Sequence, residues 1–382
     1  MFLNFHLKQY FPKDIRQEIG ELYASSAISN FALSLVMLLE PIFLYTTLHF
    51  SVTKILGFMA VVYAVYIVCI PFGGKIASIY GYRHCIALSV PFQIFYWLAL
   101  LASTGHPNAA FVAAAVFGIQ KTFYWPGFHS VMARYAQTNQ MGKAFGTSYA
   151  IISLANIAGP MAGGLVAQRF GLPGGFLMAA IVYCCSIFPL LMAQEIFVPK
   201  VYRFRDTWEL YKTYPKKFLG YMGFGEELLF LTVWPIFIYT VVKDYRDVGV
   251  LVTAASFVAA ALALVIGKIS DQYTKRILIR IGAFFTALIW LARFVATTAL
   301  NTFGIDSLAR TAKETYFIPL STLVYLRAEA THVVPYAVFF EQSLAVGKLA
   351  TCLLGMLLFY LTGSFMVLFI LGGLLSLLYM YI

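Results

Sequence analysis

The chain has 382 residues, of which 61% are hydrophobic and 11% are charged, and its mean hydropathy is +0.81. Because a soluble domain has about 45–50% apolar and about 25% charged residues, this composition excludes an ordinary soluble protein and indicates an integral membrane protein. We attribute the net charge of +11 to membrane topology rather than to nucleic-acid binding, because basic side chains concentrate in cytoplasmic loops beside anionic lipid.

A helix crosses the hydrocarbon layer in about 20 residues. The sequence contains twelve apolar runs of about that length, separated by short polar connections. The predicted fold class is therefore all-α integral membrane, with twelve transmembrane helices. The predicted spans are 22–48, 54–75, 84–103, 109–133, 143–168, 173–193, 217–242, 247–267, 278–301, 305–326, 333–360 and 364–382.

Lys and Arg residues lie mainly in alternate connections between these spans. With the N-terminus placed in the cytoplasm, the basic residues left on the outer side are Lys54, Arg169, Lys243 and Arg246. Cytoplasmic loops retain basic residues, so we expect both termini to be cytoplasmic, in a plasma or inner membrane. Residues 1–21 are charged rather than apolar, so we expect no removable signal peptide and take the first span as the insertion signal.

Segments in the first half of the chain recur in the second half. "GKIASIYGYRH" from Gly74 returns as "GKISDQYTKR" 193 residues later, and "KTFYWPGFHSVMAR" returns as "ETYFIPLSTLVYLR" at the same offset. "LLEPIFLYTT" of residues 38–47 returns as "TVWPIFIYTV". These repeats predict two six-helix bundles of the same orientation, 1–193 and 217–382, as in one large class of secondary transporters. Residues 194–216 are predicted to form a cytoplasmic linker with an amphipathic helix.

On these features the chain resembles the major facilitator superfamily over essentially its whole length. The family's loop signature, G-x-x-x-D-x-x-G-R-[KR], occurs twice, with a serine replacing the acid in the first copy. The matching residues are Gly74, Ser78, Gly81 and Arg83, and then Gly267, Asp271, Lys275 and Arg276. The resemblance implies a cytoplasmic gate that uses Arg83 or other contacts in the first half and Asp271 with Arg276 in the second. The alternative is a basic cytoplasmic loop without a gating role.

The predicted fifth span resembles the family's antiporter signature, G-x8-G-x3-G-P-x2-G-G. The matching residues are Gly146, Gly159, Pro160, Gly163 and Gly164, with Ala155 at a glycine position. In the family this signature is associated with export by exchange. The alternative is close helix packing alone, because small residues let membrane helices approach each other.

Several ionisable residues lie inside predicted spans, where each costs about 2.5–3.5 kcal/mol on insertion scales and therefore needs a partner or a function. In the family that the chain resembles, the first, fourth, seventh and tenth helices line the central cavity. Those spans carry Glu40, Lys121, Glu226, Glu227, Lys313 and Glu314. Arg293, Glu341 and Lys348 lie on other spans, and we expect structural ion pairs for the last two. His129 is predicted to be a packed, neutral histidine.

Glu40 is the predicted proton-coupling acid. It precedes Pro41, which loosens the helix, and a partly desolvated carboxylate at mid-depth can load and release a proton. The alternative is a permanently ionised partner of Lys121. If Glu40 is protonated, Lys121 is released to contact the solute or Glu314.

Glu226 and Glu227 are the other predicted proton-coupling residues. Adjacent helical residues project about 100° apart, so at most one of the two carboxylates can face the central axis. We expect the other to face a neighbouring helix or Arg293.

Aromatic side chains surround these charges on the same spans. Those assigned to the substrate cavity, together with Lys121, Lys313 and Glu314, are Tyr124, Trp125, Trp234 and Tyr316. This set favours an amphipathic or aromatic solute, and the acids favour cationic groups. For any single residue the alternative is packing.

The sequence therefore predicts a proton-coupled exporter of amphipathic or cationic compounds that works by alternating access, with the solute, protons and the bilayer as partners. We expect it to act as a monomer, and we find no motif for catalysis, a metal or another cofactor, and no nucleic-acid site. The alternatives are a symporter or uniporter of a polar or anionic nutrient, in which Lys121, Arg293 and Arg310 bind the anionic group, and a lipid-translocating protein on the same fold.

Overall fold

A computed structural model describes residues 13–135, 141–192, 201–270 and 273–382, of which 13–19, 134–135, 141–150 and 263–270 are described as backbone only. These residues form fifteen α-helices and no β-strand. The helices are α1 Lys13–Met37, α2 Leu39–Thr46, α3 Val52–Tyr80, α4 Tyr82–Ala102, α5 Ala110–Tyr135, α6 Met141–Cys185, α7 Ile187–Met192, α8 Phe204–Thr213, α9 Pro215–Met222, α10 Gly225–Val242, α11 Tyr245–Ser270, α12 Lys275–Ala292, α13 Ala299–Ala330, α14 Val333–Thr362 and α15 Phe365–Ser376.

Within the described residues, eight segments are long and apolar enough to cross a membrane. They are Gly20–Thr46, Val52–Tyr80, Tyr82–Ala102, Ile151–Met192, Pro215–Val242, Tyr245–Leu262, Lys275–Val295 and Val333–Thr362. The prediction of an all-helical, multi-pass membrane protein is confirmed. The count of twelve spans and the division into two bundles stay predictions.

Helix α6 contains the join between the predicted fifth and sixth spans. Gly171 interrupts its helical backbone with φ 72° and ψ 169°. This positive φ is a conformation that residues with a Cβ rarely adopt, so glycine is required where the chain changes direction. Pro173 follows two residues later and suits the first turn of the segment that continues the helix.

Two seams join the helices before the linker to those after it. At the first, α3 packs along α14; at the second, α6 packs along α11. Between the two seams, α2 contacts α10, and α5 contacts both α13 and α14. The side chains on α2, α5, α10, α13 and α14 therefore meet in the middle of the molecule, where predicted charges from both ends of the chain come together.

The predicted amphipathic linker helix corresponds to α8, which lies at the end of the molecule where α3 ends and α14 begins. Its inner face is fixed to α14: the Thr207 hydroxyl donates to the Pro335 carbonyl at 3.3 Å, and the Tyr211 hydroxyl donates to Gln342 Oε1 at 3.0 Å. Trp208 on the outer face is 63% exposed. Residues 194–200 of the predicted linker lie outside the described residues, as does residue 193 before it.

Candidate functional site

A cluster of five charged residues occupies the middle of the molecule, which we call the interior charge cluster. Lys121 on α5 lies close enough to Glu40, Glu227, Glu341 and Lys348 for their charges to act on it. These residues come from helices on both sides of the linker. The structure therefore brings together Glu40, Lys121 and Glu227, as the sequence analysis expected, and adds two residues from α14.

Glu40 is buried, with 8% of its surface exposed. It forms no ion pair with any residue that the structure describes. The neighbouring polar groups that act on its carboxyl are the Tyr96 hydroxyl and the Lys121 ammonium. The Lys121 ammonium itself lies over the Phe117 ring, 4.2 Å from the ring centre, and 6.0 Å from that of Tyr63. The alternative expectation of a direct Glu40–Lys121 ion pair is therefore not realised in this structure, because Lys121 faces these aromatic rings instead.

Glu227 forms two ion pairs and is the most strongly paired acid of the cluster. Its Oε1 lies 2.7 Å from Lys313 Nζ, and its Oε2 lies 2.9 Å from Lys348 Nζ. All three side chains are at least three-quarters buried. Lys348 thus has the ion pair with a neighbouring helix that its position predicted. We call Glu227, Lys313 and Lys348 the lysine–glutamate triad.

Glu226 points in another direction, as adjacent helical residues must. It is 3% exposed and accepts hydrogen bonds from Tyr316 at 2.6 Å, from Trp290 at 3.0 Å and from Tyr379 at 3.4 Å. These donors all lie after the linker, and Arg293 is close enough for its charge to interact with Glu226. The structure therefore places Glu226 and Tyr316 within the packing of the C-terminal helices rather than between the two ends of the chain.

Trp234, predicted as a cavity residue, also lies within that packing. Its indole N–H donates to Asp306 Oδ1 at 2.9 Å, and its ring lies 4.4 Å from the Arg293 guanidinium. That guanidinium lies 3.3 Å from the centre of the Trp290 ring. Arg293 is 1% exposed, and its Nε and Nη1 have no hydrogen-bond partner among the described residues. Beside it is a small recess that Glu226 and Lys313 also line.

A second set of polar side chains, which the sequence analysis did not assign to function, forms hydrogen bonds between helices of the first half of the chain and helices of the second half. His129 Nε2 lies 2.6 Å from Glu341 Oε1, and His129 Nδ1 lies 3.0 Å from the Tyr325 hydroxyl. The Tyr66 hydroxyl donates to Glu341 Oε2 at 2.8 Å. His129 is packed, as predicted, and its two ring nitrogens also contact a carboxylate and a phenol, which the sequence analysis did not expect; its neutrality stays a prediction. The sequence did contain a signal for this contact: a single histidine on a predicted cavity helix, and an acid within another predicted membrane span.

The aromatic residues predicted on α5 lie next to this histidine. The Trp125 ring stacks on the His129 ring, with centres 5.3 Å apart and planes 20° apart. Tyr124 packs edge to face against Trp125, with ring centres 5.1 Å apart. Glu314 on α13 is not joined to them: one of its carboxylate oxygens is buried without a hydrogen bond to any described residue. The predicted meeting of Lys121 with Glu314 is not seen in this structure.

The first copy of the loop signature contributes packing at the α3–α14 seam. A Cβ added at Gly74 would lie 2.6 Å from Val338 Cγ2, so only glycine permits this approach of the two helices. Ser78 is buried, and its hydroxyl donates to the Lys75 carbonyl of its own helix at 2.8 Å. The Nη1 atom of Arg83 lies 3.6 Å from Oε2 of Glu21 on α1.

The second copy of the signature is only partly described. Asp271 lies outside the described residues, and Gly267 is described as backbone only. Arg276 is exposed near the start of α12. The latch between Asp271 and Arg276 therefore stays a prediction.

The small residues predicted in the fifth span pack α6 against two helices. Added Cβ atoms at Gly159 and Gly163 would overlap Ser34 and the Leu35 backbone on α1, and one at Gly164 would lie 2.7 Å from the Tyr245 carbonyl on α11. Gly146 is among the residues described as backbone only. This geometry demonstrates the close packing that small residues permit.

A polar contact crosses the α6–α11 seam beside Pro160. The Thr253 hydroxyl on α11 accepts a hydrogen bond from the Met161 N–H at 3.0 Å and donates one to the Ile157 carbonyl at 2.9 Å. Met161 and Ile157 are the donor and acceptor of one helical turn, so the hydroxyl bonds to α6 beside its proline. This seam is therefore built from glycines, backbone groups and one hydroxyl.

A multi-pass helical bundle with charged side chains buried between two groups of helices is the architecture of a membrane transport protein. The chain belongs to the major facilitator superfamily, whose family model matches residues 22–213. The family resemblance seen in the sequence is confirmed.

Curated relatives are similar to part of the chain. The multidrug resistance protein MdtG of Proteus mirabilis is 26% identical over 161 residues, which are 42% of this chain and 37% of that protein. MdtG of Klebsiella pneumoniae is 25% identical over 193 residues, 49% of this chain and 46% of that protein. The chain thus matches less than half the length of these relatives.

A solved structure is similar over nearly the whole chain. The human organic anion transporter MFSD10 (TETRAN) superposes with a TM-score of 0.68 at 14% sequence identity, covering 97% of this chain and 99% of that one. At this identity the likeness establishes the fold alone.

Proposed function

We propose that this protein is a proton-coupled exporter of amphipathic, including cationic, small organic compounds. The observation that carries the proposal is the interior charge cluster, which lies between helices from both halves of the chain. In it, a buried acid, Glu40, and an ammonium group, Lys121, form no ion pair with any residue that the structure describes. The names of the MdtG relatives, which are multidrug resistance proteins, support export of drug-like compounds.

The architecture proposed for this activity is twelve spans in two bundles, 1–193 and 217–382, joined by a linker at 194–216 and moving by alternating access. We place both termini in the cytoplasm and the protein in a plasma or inner membrane, acting as a monomer without enzymatic activity. The contacts along two separate seams support this division, because two packed groups of helices can open at one end while they stay together at the other.

Within this mechanism we assign the proton to Glu40 rather than to Glu227. Protonation of Glu227 would leave two buried ammonium groups without their counter-charge, which is costly in a low-dielectric interior. Glu40 has no ion pair with a described residue to lose. Its neutralisation would instead remove the negative charge acting on Lys121, so protonation changes the charge that a solute meets on α5.

The solute class follows from the rings around Lys121. Phe117 and Tyr63 face the ammonium, and Trp125 lies one helical turn further along α5. Flat aromatic surfaces beside a titratable acid fit an amphipathic compound, whose cationic group is attracted to the ionised carboxylate and whose rings pack on the aromatic side chains.

The test is solute-evoked proton movement in sealed proteoliposomes with an internal pH dye, using a panel of cationic, neutral, anionic and lipid-like compounds. We expect a cationic amphipathic compound to move protons in the wild-type protein, and we expect Glu40→Gln to abolish this flux because an amide does not titrate. The matched control is Glu209→Gln on the exposed face of α8, which should leave the flux unchanged.

Unchanged flux in Glu40→Gln would contradict the assignment of the proton to Glu40. Solute uptake without proton movement would instead support a uniporter. Proton movement that runs in the same direction as an anionic compound would support a symporter and would contradict export.

A further inference from the structure

We propose that the buried pair of His129 and Glu341 is a second proton site, and that it controls whether the α3–α14 seam is closed. This inference rests on the proposed function for its role in transport, because it names a further proton-binding group in the same protein. Its structural basis is independent of Glu40, which is not in contact with the pair in the described structure.

Each end of the chain supplies two members of this site. Tyr66 on α3 and His129 on α5 precede the linker, whereas Tyr325 on α13 and Glu341 on α14 follow it. Three hydrogen bonds join the helices before the linker to those after it. They are His129–Glu341, Tyr66–Glu341 and His129–Tyr325. The three bonds therefore must break when the two groups of helices separate here.

The position of the site makes it part of the closed end of the seam. Glu341 lies in the first third of α14, and one and two turns before it Val338 and Val334 pack on Gly74 near the end of α3. Next to Glu341 on the same helix, Gln342 donates to the Ile67 carbonyl of α3 at 3.0 Å and accepts from Tyr211 of the linker helix. Opening this end would expose the pair to water.

The charged and titratable groups around the pair come from each helix that surrounds it. Those that interact electrostatically with Glu341 are Tyr63 and Tyr66 on α3, Lys121 on α5, Tyr325 on α13 and Lys348 on α14. Tyr124 on α5 acts on Tyr325, and Glu227 on α10 acts on Lys121 and Lys348. Two ammonium groups therefore lie near Glu341, and within the pair we propose the imidazole of His129 as the group that binds the proton.

The protonation state of His129 changes the strength of the contact between the two groups of helices. An imidazolium that donates to a carboxylate at 2.6 Å is a charge-assisted hydrogen bond between α5 and α14, beside the α3–α14 seam, and is about twice as strong as a bond between neutral groups. A neutral imidazole keeps the N–H donor but loses the attraction between opposite charges. Proton binding therefore closes the seam, and proton release weakens it.

The experiment measures the seam directly and requires no transport. Spin labels at Tyr80→Cys and His332→Cys, at the exposed ends of α3 and of the turn before α14, report the distance across the seam in lipid nanodiscs. The five native cysteines are replaced in this background. We expect the distance distribution to shift to longer values between about pH 5 and about pH 8, the range in which histidine loses its charge.

In His129→Gln, whose amide can still donate to Glu341 but does not titrate, we expect the shift to be absent. Glu341→Gln serves as a second variant, because it retains a hydrogen-bond acceptor and removes the charge. The control is His106→Gln, an exposed histidine in the connection before α5, which should behave as the wild type.

A wild-type distance that does not change with pH overturns the proposal without any variant. A pH-dependent shift of the distance in His129→Gln that is as large as in the wild type also overturns the proposal. If the wild type shifts with pH but moves no protons with any solute, the proton site stands and the proposed export function fails. If proton-coupled export is intact in His129→Gln and its seam still responds to pH, the site fails and the function stands.

Discussion

Replacement of Glu227 by alanine is expected to cause the largest loss of stability among single changes to the buried charges. The change would remove the counter-charge of Lys313 and Lys348, which lie 2.7 and 2.9 Å from its two carboxylate oxygens. Breaking a buried ion pair by removing one partner costs about 3–5 kcal/mol. The measurement is the free energy of unfolding in detergent micelles, or the melting temperature where unfolding is irreversible.

Two comparisons isolate the cause of this loss. Glu40→Gln also neutralises a buried acid but breaks no ion pair in the part of the chain that the structure describes, so its effect should be much smaller. Adding Lys348→Met to Glu227→Ala removes one of the two uncompensated ammonium groups, and we expect it to restore part of the lost stability. Equal stability of Glu227→Ala and Glu40→Gln would mean that water, rather than Glu227, compensates the two lysines.

The second large effect is expected where α6 packs on α1. In Gly163→Ala the new methyl group overlaps the Leu35 backbone, which cannot rotate away as a side chain can. Overpacking of this kind costs about 1–3 kcal/mol, and more where the backbone must move. We expect a lower melting temperature and a smaller monodisperse peak in size-exclusion chromatography of the variant.

Gly175→Ala is the matched control because it also lies in α6, in the segment after the interruption at Gly171. There the added Cβ would meet only the Leu39 and Val36 side chains at 3.9 Å, which is ordinary contact. Alanine is favoured over glycine inside a helix by about 0.5–1 kcal/mol, so this variant should be as stable as the wild type or slightly more stable. Similar losses in the two variants would show that the glycines act through helix flexibility rather than through close packing.

Features that depend on one helix at a time could be predicted from the sequence. Hydropathy fixed the helical membrane class, and the helical angle between neighbouring residues predicted that Glu226 and Glu227 would diverge. The small residues of the fifth span indicated a close approach before its partners were known. A short amphipathic helix was expected within 194–216 because its apolar residues recur every three or four positions, and α8 lies there; its role as a linker between two bundles stays a prediction.

Features that depend on which helices meet could not be predicted in the same way. His129 and Glu341 are 212 residues apart, and neither has a local spacing that identifies the other. Trp234 and Tyr316 lie on predicted cavity helices, yet both bond to acids within the C-terminal packing. The sequence predicts which helix carries each residue. It does not predict which face of that helix points to the centre of the molecule, because packing against neighbouring helices determines how the helix is rotated about its axis.

The lysine–glutamate triad has an electrical consequence. Two lysines share one glutamate, so with both lysines protonated the group has one net positive charge inside the membrane-spanning part of the molecule. A unit charge that crosses the full transmembrane voltage changes its energy by about 2.3 kcal/mol per 100 mV. Any conformational step that moves the triad along the membrane normal is therefore accelerated by one polarity of the membrane voltage and slowed by the other, in proportion to the distance moved.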